Sequence, residues 1–73
     1  MNNDDPDLHI VLNGASHCVP AGTTVAALLD SLGVGGDGVA VAVDMVVVPR
    51  GAHAGRVIQD GERVEIVRAV GGG

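Results

Sequence analysis

The chain has 73 residues, with 4 Arg, no Lys and 9 acidic residues for a formal charge of −5; 47% of the residues are hydrophobic and none is aromatic. A chain of this length holds one small domain, which buries roughly 60% of its unfolded surface and leaves no volume for a large catalytic cleft. The acid excess and the lack of rings argue against a nucleic-acid reader, which needs a basic face and stacking platforms, while the hydrophobic content argues against disorder over most of the chain.

Residues 1–7 are acidic and polar, and the expectation is a disordered leader. They have neither the basic start nor the apolar core of a signal peptide. The longest apolar stretch, Val39 to Val48, is broken by Asp44 and is too short to span a bilayer. A single cysteine, Cys18, allows no internal disulfide and no Cys-rich zinc site. These features predict a cytoplasmic protein with no membrane partner.

From residue 8 to residue 70 the pattern is that of one folded domain. Leu8, Ile10 and Leu12 alternate on one face of a first strand, Leu8–Leu12. Asn13-Gly14 tolerates the positive φ angles of a two-residue hairpin turn. Ala15–Val19 then reads as the returning strand, ended by Pro20, which would place His9 opposite Cys18. Thr23 can cap a helix over Thr24–Leu32, whose Val25, Leu28, Leu29 and Leu32 make one apolar stripe. Gly33 suits a left-handed helix end.

The glycine-rich stretch Gly33–Gly38 reads as a loop. Val39–Val43 is a strand of alternating valine and alanine, Asp44-Met45 a turn, and Val46–Val48 a strand stopped by Pro49. Arg50 to Gly55 reads as irregular. Gln59–Glu62 is a turn signal, and Arg63–Arg68 is a last strand with Val64 and Ile66 inward and Arg63 and Glu65 outward. One short helix covers one face of a small sheet. The fold class is therefore α+β: a β-grasp, ubiquitin-like arrangement, with a mixed four- to five-stranded sheet and first and last strands parallel neighbours.

The chain ends in Gly71-Gly72-Gly73 directly after a strong strand. Glycines pack nothing, so a flexible tail over 71–73 is expected, able to thread a narrow channel and present an unhindered carboxylate. Arg68 and Val70, at the base of the tail, are candidate partner contacts.

Five segments in order carry a family resemblance. They are Asn13-Gly14; Gly22-Thr23-Thr24-Val25 with Leu28-Leu29; Val39–Val43; Val48-Pro49-Arg50; and Asp60–Val67 with terminal Gly72-Gly73. Together they resemble the ThiS family, the sulfur carriers of thiamine biosynthesis, from about Leu8 to Gly73. Asp44 stands where that family usually has Asn, and His53 where it often has Trp. The resemblance implies that an adenylating, ubiquitin-activating-like enzyme uses ATP to activate the Gly73 carboxylate. A cysteine desulfurase or other persulfide donor then supplies sulfur, and the resulting thiocarboxylate feeds thiazole synthase. On this reading the chain is no enzyme but a recycled co-substrate, with no catalytic residue and no bound cofactor. The small subunit of molybdopterin synthase, a ubiquitin-like protein modifier and an adaptor with an inert tail are the alternatives. The absence of Phe before the tail favours the thiazole branch over molybdopterin.

Other candidates carry less. Cys18 has no basic residue within two positions, and a lone cysteine reads first as a small buried hydrophobe. His9, His17 and His53 match no metal-site spacing, so no metal is expected, and they read as solvated or half-buried. Gly33–Gly38 follows a helix and so lacks the helix N-terminus that a phosphate loop needs. Met45 and the valine run read as core or edge, or as an exposed docking patch.

Overall fold

The structure is a computed structural model that describes residues 7–35 and 38–68. The expected leader and tail lie outside these residues, except for Asp7, which is the first residue of a strand rather than part of a leader. The strands are β1 (Asp7–Leu12), β2 (Ala15–Pro20), β3 (Val39–Val43), β4 (Val46–Val48) and β5 (Arg63–Arg68), with one helix, α1 (Val25–Leu32), between β2 and β3. They form a mixed five-stranded sheet in the order β2-β1-β5-β3-β4. β1 and β5 run parallel at its centre, as expected, and α1 covers one face.

Both hairpins are closed by two residues. Asn13 and Gly14 take φ +49° and +84°, which brings Leu12 opposite Ala15 and His9 opposite Cys18. A turn with two positive φ angles matches the twist of its flanking strands. At the second hairpin Asp44 and Met45 take φ +50° and +69°, a region costly for residues with a Cβ. Asp44 is held there by two bonds to the central strand. Its N–H donates to the Arg63 carbonyl at 2.8 Å, and its Oδ1 accepts from the Arg63 N–H at 2.8 Å. Pro20 does not stop β2 short but closes it, pairing with Asp7 at the sheet edge, where a missing N–H costs no ladder bond.

The helix starts one residue later than Thr23 would cap it. Thr24 is extended (φ −93°, ψ 167°) and its side chain accepts from Ala27 N. The Thr23 hydroxyl instead donates back to the Pro20 carbonyl. Tertiary bonds decide between the two threonines: Ile58 N–H donates to Thr23 O, and Thr24 bridges to Val57. These keep the chain extended through Thr24. At the other end Gly33 is left-handed (φ +72°), and the Gly33 and Val34 amides donate to Asp30 and Leu29 carbonyls. That is the Schellman closure, and it brings Val34 against the core.

The core joins Val25, Leu28 and Leu29 of α1 to Ile10, Val19, Val41, Val43, Val48 and Val64 of the sheet. Leu32 departs from the expected stripe and is 37% exposed. It is the last helical residue, and Val34, after the reversal at Gly33, packs on the core instead. Ile58, outside any regular element, is buried at the same level as the helix leucines. His53 is also buried rather than solvated or half-buried, with Nε2 donating to the Val48 carbonyl at 3.0 Å.

Candidate functional site

The strand that leads to the tail is β5, and the fold holds it at the centre of the sheet. Val64 is fully buried and Ile66 half-buried beneath α1, whereas Glu65, Val67 and Arg68 face solvent. On one side β3 pairs with all of β5, from Val43↔Val64 to Val39↔Arg68. On the other side β1 pairs only with Arg63 and Val64 before it turns away at Asn13. The Asn13 side chain then takes over: its Oδ1 accepts the Ile66 N–H at 2.8 Å.

Asn13 and Asp44 thus do the same work from opposite flanks. Each sits in a hairpin turn at positive φ, and each uses a carboxamide or carboxylate oxygen to extend β5's ladder past the end of its neighbour. The sequence marks both as turn residues, but their bonds join positions 53 and 19 residues apart. A general preference of Asn and Asp for local backbone bonding was the only available signal. Asn13→Gly keeps the turn's φ and removes the bond. It should cost about 1 kcal/mol in a denaturant titration and speed exchange of the Ile66 amide.

The 3₁₀ turn Arg50–Ala52 begins a segment fastened to the start of α1. Val25 N–H donates to Arg56 O and Ala26 N–H to His53 O. The Arg56–Glu62 ion pair at 2.7 Å, with Glu62 also accepting from Gln59 N–H, closes the loop that returns to β5. Between this segment and α1 lies a cleft of about 280 Å³ lined by Ala26, Leu29, Asp30, Gly35, Arg50, Gly51, His53 and Ala54.

The predicted site residues divide sharply. Arg68 is exposed at the end of β5. Val70, Gly71, Gly72 and Gly73 lie outside the described residues. Cys18 is exposed on the outer strand, contrary to the buried hydrophobe its composition suggested; residues alternate across β2, and Val19, not Cys18, points into the core. Met45, Val46 and Val47 are exposed, whereas Val48 is core. Among the described residues no group of three or more His, Cys, Asp or Glu could hold a metal ion. No described helix is long and apolar enough to cross a membrane.

Comparison with known proteins gives these features a setting. The model of the ThiS family matches residues 10–73. The sulfur carrier protein ThiS of Escherichia coli is 32% identical over 66 residues, covering 90% of this chain and 100% of that one. A thiazole synthase of Magnetococcus marinus is 41% identical and one of Paramagnetospirillum magneticum 39% identical, each over 90% of this chain. The chain spans only 20% of the length of those two synthases. The crystal structure of the thiamine biosynthesis protein ThiS from Geobacter metallireducens superposes with a TM-score of 0.77 at 29% identity, covering 90% of this chain and all of that one.

Proposed function

The chain belongs to the ThiS family, and from that membership we propose that it is a sulfur carrier of thiamine biosynthesis whose Gly73 carboxylate is the working group. The observation that carries the proposal is the central placement of β5. A strand paired on both flanks at Val64 and pinned by Asn13 at Ile66 gives the residues after it a rigid base. Full coverage of the E. coli sulfur carrier supports it.

The chemistry follows from the weakness of a carboxylate as electrophile. An adenylating enzyme joins the Gly73 carboxylate to AMP and releases pyrophosphate from ATP. The terminal sulfur of a persulfide on the donor protein attacks the acyl carbon, and AMP leaves. A thiol then cleaves the sulfur–sulfur bond to the donor and frees the thiocarboxylate on Gly73. Thiazole synthase takes the sulfur, an oxygen replaces it on the acyl carbon, and the chain returns as a carboxylate. The chain catalyses none of these steps. The likeness to parts of two thiazole synthases supports that enzyme as acceptor and favours the thiazole branch over molybdopterin.

Intact mass after incubation with ATP, activating enzyme and sulfur donor tests the proposal. The expected result is one sulfur in place of one oxygen on the chain; an unchanged mass, or a covalent adduct to another protein's lysine, overturns it. Cys18 is exposed and free, so it is the rival carrier of sulfur. Cys18→Ala should nonetheless gain the same sulfur at the wild-type rate and shift stability by less than about 0.5 kcal/mol. Loss of sulfur uptake in that variant would place the sulfur on the thiol instead.

A further inference from the structure

Backbone directions along β5 leave one flank of its last turn-free stretch open. On the β1 side the bonds run Val11 N–H to Glu62 O, Asn13 N–H to Val64 O, and Ile66 N–H to Asn13 Oδ1. On the β3 side both Arg63 groups bond to Asp44. In an extended strand, neighbouring residues direct their N–H and C=O to opposite flanks. The Ile66 carbonyl and the Arg68 N–H therefore face the β1 side, beyond the point where β1 has turned away. Among the described residues neither has a partner. The two groups have the spacing with which a parallel strand bonds one residue of its neighbour, accepting at Ile66 and donating from Arg68.

We propose that this open flank, Ile66 to Arg68, is completed by an extended segment of thiazole synthase, which continues the parallel ladder that β1 begins and Asn13 ends. The inference rests on the carrier reading above. The choice of occupant follows from reach and from likeness. Residues 69–73 extend at most about 18 Å beyond Arg68, so an enzyme that takes sulfur from Gly73 comes within that distance of this flank. Two thiazole synthases contain a stretch similar to this chain, which links this sequence and that enzyme within one polypeptide. Main-chain pairing of this kind supplies affinity without requiring particular side chains.

The test uses the full chain, labelled for amide exchange, with purified thiazole synthase. In the complex, exchange of the Arg68 amide should slow, while the Val67 amide, which faces β3, should be unchanged. Arg68→Pro removes an N–H that the fold does not use, together with the side-chain charge, and should weaken the complex roughly two- to tenfold with the free chain's unfolding midpoint unchanged. Arg68→Gln, which keeps the N–H and loses the charge, should bind as wild type does. A complex in which Arg68 exchanges as before, or protection by the activating enzyme alone, overturns the pairing and leaves the carrier reading intact. A wild-type chain that acquires sulfur but forms no complex with the synthase overturns both the pairing and the choice of acceptor. Equal weakening by Arg68→Gln and Arg68→Pro would assign the contact to charge and overturn the pairing as well.

Discussion

Removal of Gly73 should abolish activation of the chain at its terminus. The magnitude comes from geometry. One residue fewer draws the carboxylate back by about 3.3–3.6 Å, and reacting atoms must approach to about 3–3.5 Å, with a misplacement of 1 Å already costing on the order of 10²-fold. Adenylate formation, measured as ATP–pyrophosphate exchange, should fall by at least that factor. Gly72→Val should do the same by a different route, since a β-branched side chain restricts the backbone and adds bulk that a narrow channel would not admit. A glycine has no side chain to pack, so losing either one should move the unfolding transition by less than about 0.5 kcal/mol. A chain lacking Gly73 that still accepts sulfur at the wild-type rate would sink the proposal that Gly73 carries it.

Leu28→Ala should have the largest effect on stability. Leu28 is 1% exposed and, with Ile58, is among the largest of the fully buried side chains. Truncating a buried leucine costs about 2–5 kcal/mol through lost transfer energy and the cavity left behind. A chain of 73 residues has a total stability of roughly 4–11 kcal/mol, so the loss is a large part of the whole. Leu28→Met, which conserves volume, should cost less than about 1.5 kcal/mol. A denaturant titration that finds the alanine variant within 0.5 kcal/mol of wild type, roughly the range of surface changes, would show that Leu28 does not anchor the sheet to α1.

Much of this architecture can be read from residue pattern because it rests on local chemistry. Val39–Val43 and Arg63–Arg68 alternate at period two, and Asn13-Gly14 carries the φ angles of its turn wherever it occurs. What escapes the pattern is decided by contacts distant in sequence. Thr23 and Thr24 are equivalent caps until Ile58 and Val57 bond to them. Ile58 lies in no periodic segment, so nothing local marks it as core. His53 is buried because the Val48 carbonyl satisfies its ring, and burial of a polar side chain follows its partner rather than its hydropathy. Cys18 shows the converse. Its side chain is small and apolar, but the strand's alternation, fixed by Val19, turns it outward. At the site, the glycine run and the order of segments point to a carrier. The roles of Asn13 and Asp44 in holding β5 emerge only once the two hairpins stand on either side of it.

The sheet order has a consequence for how the chain is made. Among the described strands β5 comes last in the sequence, yet it lies between the two hairpins. Until Arg63–Arg68 emerges, β1–β2 and β3–β4 are separate two-stranded ribbons, each with a bare inner edge, and such ribbons are marginal in water. A chain interrupted anywhere before Arg63 therefore cannot close its core, and remains open to proteolysis and to pairing with other nascent edges. The strand that completes the fold is the one that leads to the tail, so a polypeptide able to fold has, by the same step, almost reached Gly73.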